Sequence, residues 1–144
     1  MKELRTEIVI HASSEKVWRI LTDFERYSAW NPFIRFIRGK VAVGEIVKVR
    51  LEPPGMKGML MKPRITKFNE PEGFSWLGSL GIQGLFDGGH SFELTDNHDG
   101  TTTFVQREEF KGILVPLLKK ILDVNTKEGF EMMNRKLKEE CENG

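Results

Sequence analysis

His90 and Glu108 are the side chains in this sequence whose types and spacing could together move a proton. Asn97-His98-Asp99-Gly100 is a hairpin signal, with Gly100 suited to a positive φ. A loop over His98–Gly100 sets Leu94 opposite Phe104, Phe92 opposite Gln106 and His90 opposite Glu108. These six share one strand parity with Phe110, so all point to one side of the sheet. Phe92, Leu94, Phe104 and Phe110 make that side the inner one. His90, Gln106 and Glu108 are then polar groups within an apolar interior, where each needs a partner. A Glu beside a His is expected to favour the imidazolium. The pair could serve as general acid and base, as a polar anchor for a ligand carbonyl or hydroxyl, or as a mutually satisfied structural pair. A register slip of one residue would turn the whole set outward.

Around that pair, the sequence supplies apolar surface. "YSAWNPFIRF", from Tyr27 to Phe36, crowds rings beside an Asn-Pro turn, so it either plugs one end of a core or lines a space to be filled. Trp30, Phe33, Trp76, Phe92, Phe104, Phe110 and Phe130 are the rings available to such a lining, with Ile121, Leu122 and Met133 added from the last helix. Arg64 and Gln106 are weaker candidates for polar contacts of the same kind. Met61, with Met56, Met59, Met132 and Met133, offers a lining that can adapt to an irregular guest, although thioethers also serve as ordinary core filling.

Other chemistries lack support. His11, His90 and His98 do not have metal-ligand spacing, and one cysteine cannot build a structural zinc site. No metal or cofactor is expected. Gly78, Gly81 and Gly84 precede no helix that would cradle a phosphate. Ser13, Ser14 and Ser28 have no nucleophile-elbow context. Cys141 has no partner for an internal disulfide and no basic neighbour to activate it.

The elements that must position these groups follow from periodicity. Glu3–His11 alternates as a strand, with Leu4, Ile8 and Ile10 on one parity. Ser13 is an N-cap for a helix carrying Val17, Trp18 and Leu21, and Asp23–Tyr27 suggests a second short helix that Pro32 ends. Val47, Val49 and Leu51 alternate with basic residues. Met59, Met61 and Ile65 read as a single run, with Pro63 marking an edge or bulge. Asn69–Gly73 is a turn before Phe74-Ser75-Trp76-Leu77. Val115 to Glu142 has helical spacing at Leu118, Ile121, Leu122, Phe130, Met133 and Leu137. Asp123/Lys127 and Glu131/Arg135 are its expected i,i+4 pairs, and Gly129 implies close packing or a mild kink. A long amphipathic helix needs a large apolar partner, and a curved antiparallel sheet of about seven strands is the one available.

The chain has 144 residues, with 22 Lys and Arg against 21 Asp and Glu. Length implies a single domain over residues 1–144 with a real core. Balanced charge offers nothing to steer it to nucleic acid. The charged start lacks a signal-peptide core, and no apolar run reaches the roughly 20 residues of a membrane span. The expectation is a cytoplasmic protein without integral membrane association, and a monomer.

Four stretches carry a family resemblance. "IVIHASSEKVWRILTDFERYSAWNPF" is similar to the strand, paired helices and Trp-Asn-Pro junction of the SRPBCC superfamily, the START and birch-pollen-allergen-like helix-grip proteins. "WLGSLGIQGLFDGGHSFEL" and "TTFVQREEFKGILVPLL" resemble its late hairpin and the lead into its final helix, and the helix agrees in length and pattern. Within it, the sequence looks like the polyketide cyclase/dehydrase-type members. The resemblance implies an α+β helix-grip fold with an elongated apolar cavity between sheet and C-terminal helix. It implies a small, mostly apolar ligand such as a lipid, isoprenoid or polyketide-like molecule. A cyclase or dehydratase using His90 and Glu108, and an interaction or chaperone co-factor module with a filled core, are the other functions it admits, because fold does not fix activity.

Overall fold

A computed structural model describes residues 2–79 and 83–143; Gly81 of the glycine series falls outside them. β1 (Lys2–Ile10) alternates buried and open positions, with Leu4, Thr6 and Ile10 inward. Ser13 caps α1 (Ser14–Leu21) by accepting from Lys16 N at 3.2 Å. The second helix forms as a 3-10 turn, Phe24–Arg26, running into α2 (Tyr27–Trp30). Asn31 then closes an Asx turn, its Oδ1 accepting from Phe33 N and Ile34 N, so the chain leaves the helix extended.

Six strands follow: β2 (Ile34–Arg38), β3 (Lys48–Leu51), β4 (Met59–Met61), β5 (Arg64–Asn69), β6 (Gly73–Ser79) and β7 (Asp87–Asp96), before β8 (Thr102–Lys111). They make a five-stranded antiparallel sheet in the order β1-β8-β7-β6-β5 and a three-stranded one in the order β2-β3-β4. The expected single run through Met59, Met61 and Ile65 is therefore two strands in two sheets. Pro63 has no N–H to continue a ladder, and the chain changes sheets there. An antiparallel bridge between Ile46 and Arg64 joins the two sheets.

The β7–β8 hairpin has the register expected from its loop, with Leu94 opposite Phe104, Phe92 opposite Gln106 and His90 opposite Glu108. Gly100 has φ of 87° in the turn, and Asn97 N still donates to Thr101 O.

The last helix lies on the sheet and completes the α+β helix-grip fold. It is less regular than its periodicity suggests. A 3-10 turn at Val115–Leu118 leads into α3 (Lys119–Ile121), a π turn at Leu122–Thr126 and α4 (Lys127–Asn143). α4 buries Gly129, Phe130, Met133, Asn134, Leu137 and Cys141. A Cβ at Gly129 would lie 2.6 Å from Phe33 Cδ1, so close packing accounts for this mid-helix glycine. The expected Asp123/Lys127 and Glu131/Arg135 pairs do not form: Asp123 turns to Lys2 at 2.5 Å. The paired charges on α4 are Lys136 with Glu139 and Lys138 with Glu142.

Candidate ligand cavity and its polar relay

The interior has two ends. At one, rings fill the space: Phe74 stacks on Phe92 at 4.5 Å, and Trp76 meets Phe92 edge-on at 5.1 Å. Phe104 and Met133 are fully buried with them. At the other end a cavity of ≈ 250 Å³ opens between β3, β4, β7, β8 and the start of the last helix. Phe33, Met61, Phe110, Ile121 and Leu122 line it, as do Met56 and Met59. That volume exceeds the ~150 Å³ that holds a benzene and falls below the ~300–1,000 Å³ of drug-sized sites. A larger, open depression of ≈ 750 Å³ lies on the outside, among Thr22, Asp23, Glu25 and Arg38, away from His90 and Glu108.

The ring-rich stretch that follows α1 is divided between both roles. Tyr27 and Trp30 are buried in edge-to-face contact and plug the core, with Tyr27 Oη donating to Leu21 O. Phe33 faces the cavity and also meets Phe130 at 5.5 Å. Phe36 turns outward beneath the guanidinium of Arg38. Of the other residues expected at a site, Trp76, Phe92, Phe104, Phe130 and Met133 belong to the packed end. Arg64 is exposed, donating to Gly44 O at 2.8 Å.

A buried polar chain connects the two ends. Gln106 Nε2 donates to the main-chain oxygen of Phe130 at 3.2 Å and to Asn134 Oδ1 at 2.8 Å. Asn134 Nδ2 then donates to Thr6 Oγ1 at 3.0 Å. Gln106 Oε1 is left as an acceptor and lies 2.9 Å from His90 Nε2, so that nitrogen carries the imidazole hydrogen. His90 Nδ1, with its lone pair, faces Glu108 Oε1 at 3.4 Å. Glu108 Oε2 rests against Gly88, in the space a larger residue there would fill. His90 itself is sealed in: it stacks on Phe92 at 4.1 Å and meets Phe130 and Trp76. Only Glu108 brings this chain to the cavity wall.

Burial decides the charges. Desolvation among three aromatic rings lowers His90 to about 3, against the smaller opposing effect of its Gln106 hydrogen bond. Burial likewise raises Glu108 to about 8. The expected imidazolium is thus overturned. At 3.4 Å the two groups are within ion-pair range, but removing both from water outweighs their attraction, leaving neutral imidazole beside a protonated acid.

Thr6, Asn134 and Gly88 escaped the sequence reasoning. Asn134 sits on the apolar stripe of α4 between Phe130 and Leu137, and Gly88 lies on the inner parity of β7 with His90 and Phe92. A polar residue on an apolar stripe, and a glycine on a packed face, were the available signals.

A sheet folded onto a long C-terminal helix, with a cavity between them, defines a helix-grip protein of the SRPBCC superfamily. The chain belongs to the family described as polyketide cyclase/dehydrase and lipid transport, which it matches over residues 1–142. Among solved structures it is similar to the Zhui aromatase/cyclase of a Streptomyces species, at 12% identity and TM-score 0.78, over 99% of this chain and 94% of that one. A START superfamily protein from Mycobacterium smegmatis matches at 19% identity and TM-score 0.73, over 98% and 97%. Ara h 8.0201 matches at 16% and 0.73, over 99% of both chains. No curated protein matches the chain. No described helix is long and apolar enough to cross a membrane.

Proposed function

We propose that this protein binds a small, mostly apolar molecule in the cavity between β3, β4, β7, β8 and the last helix, with Glu108 as its polar contact. The observation that carries this is an apolar hollow whose wall holds one carboxyl group without a short hydrogen bond to the protein. Rings and thioethers supply non-directional attraction, and a polar group in such a wall orients the guest. A hollow at this position argues against an interaction module with a filled core.

The test is a thermal and native-mass screen against lipids, isoprenoids and polycyclic aromatics. A ligand at 100 times its Kd stabilises the folded state by about 2.7 kcal/mol. No shift with any compound of suitable size would overturn the proposal.

One observation favours a second reading. Glu108 is protonated at neutral pH inside an apolar site, the condition of a general acid. A cyclase or dehydratase acting on a polyketide-like substrate would use Glu108 as the acid, with His90 behind it as a positioning group. Glu108→Gln would then abolish turnover and leave binding largely intact. Unchanged turnover would remove this reading.

A further inference from the structure

We infer that the cavity selects a hydrogen-bond donor, a neutral alcohol or phenol, over an isosteric ketone, ether or carboxylate, because the buried chain leaves Glu108 able only to accept. This rests on the cavity being the binding site, and it excludes the reading of Glu108 as a general acid toward the guest. The Phe130 carbonyl can only accept, so the side of Gln106 facing it is the amide nitrogen. The other side of Gln106 is therefore an oxygen, and it takes the hydrogen of His90 Nε2. His90 Nδ1 is then a bare lone pair, 3.4 Å from Glu108 Oε1.

Oε1 is the carboxyl oxygen with a protein acceptor in reach, so a protonated Glu108 gains by carrying its hydrogen there. An ionised Glu108 has no hydrogen at all. Either way Oε2, set against Gly88 in the cavity wall, is an acceptor. A guest hydroxyl satisfies it. A guest carbonyl or ether oxygen meets it lone pair to lone pair, leaving both groups desolvated and unpaired.

The rest of the lining reinforces the choice. Among the described lining residues, Thr126 is the other side chain with an oxygen, and a hydroxyl can play either role. No Lys, Arg or His is among them, so a guest carboxylate has no counter-charge. Gly88 gives the acceptor its room, since a side chain there would overlap Oε2.

Borneol and camphor test this directly, being one compact bicyclic skeleton with a hydroxyl in the first and a carbonyl in the second. Calorimetry on the intact protein should give borneol at least about tenfold tighter than camphor. Glu108→Leu should bring the two affinities together. Glu108→Gln should keep the preference, because its amide nitrogen can donate to His90 Nδ1 while its oxygen still accepts. Camphor equal to or tighter than borneol on the wild type would overturn the inference and leave the cavity as a binding site. A preference that survives in Glu108→Leu would overturn it too. If neither compound binds, the assignment of this cavity fails, and the inference with it.

Discussion

Gly88 and Glu108 share one volume: the carboxyl oxygen Oε2 occupies the place where any side chain on Gly88 would begin. Gly88→Ala must therefore push the carboxyl aside, and the end of a flexible side chain yields readily. The expected result is a small change in melting temperature with about tenfold weaker binding of a hydroxylated guest, the worth of one net hydrogen bond. Calorimetry alongside a thermal melt checks both parts.

The pH dependence of stability should carry the mark of the buried pair. Glu108 rises from 4.5 to about 8 on folding, so its contribution is complete below 4.5 and is lost as pH climbs through 8. His90 falls from 6.5 to about 3, so its contribution is complete above 6.5 and is lost as pH drops toward 3. Between 4.5 and 6.5 the two slopes cancel, because the folded chain holds a proton on Glu108 and the unfolded chain holds one on His90. Above 6.5 only the falling slope remains, about 1.4 kcal/mol per pH unit, or about 2 kcal/mol by pH 8. Urea titrations of wild type and Glu108→Gln at a series of pH values should show that alkaline loss in the first and not in the second.

Gly129→Ala sets two effects against each other. Alanine improves helix propensity by about 1 kcal/mol, but its Cβ would press on the Phe33 ring at 2.6 Å. Overpacking of this kind costs about 1–3 kcal/mol, so the single variant should be less stable than wild type. Phe33→Leu combined with Gly129→Ala should be more stable than the sum of the two changes predicts. A double-mutant cycle by chemical denaturation measures that coupling.

The two ends of the interior should respond differently to truncation. Phe92 is fully buried between Phe74, Trp76 and His90, so Phe92→Ala should cost about 3–5 kcal/mol. Met61 is half-buried and borders space that is already open, so Met61→Ala should cost about 1 kcal/mol. Denaturation midpoints give the first quantity; binding of progressively bulkier guests should improve only in the second variant.

Asn125, in the π turn, donates to Pro54 O at 2.9 Å and so ties the last helix to the turn that carries Pro53 and Met56 across the cavity edge. Asn125→Ala should speed release of a bound guest several-fold, since one part-buried hydrogen bond is worth about 1 kcal/mol. Stopped-flow displacement reads that rate, and the melting temperature of the free protein should move little.

The hairpin was legible because two local facts agreed, a turn with a defined loop and a strand parity with rings on one side. Together they placed His90 opposite Glu108 without any knowledge of the rest of the chain. The protonation state was not legible in the same way. It depends on Phe130, Gln106 and Trp76 closing over the imidazole, and these come from three different elements. Nor did the sequence reveal which rings pack and which line a hollow. Phe33 and Phe92 are the same residue type and both are buried, but Phe92 is ringed by Phe74, Trp76 and His90, whereas Phe33, held against Gly129 and Phe130, also borders the hollow. The hollow's far wall includes Leu122 and Thr126 of the π turn, whose irregular backbone has no simple period.

Pro63 gives the structure a seam. The methionine-bearing wall of β3 and β4 hangs from the larger sheet through a narrow strip, where Val47 N meets Pro63 O and Ile65 N meets Glu45 O beside the Ile46–Arg64 bridge. The ladder that carries His90 lies two strands from that strip, with β6 between them. If a guest larger than the hollow is held there, the small sheet is the wall expected to yield, while the ladder that carries His90 and Glu108 keeps its register. Girth and polarity would then be read by separate parts of one short chain.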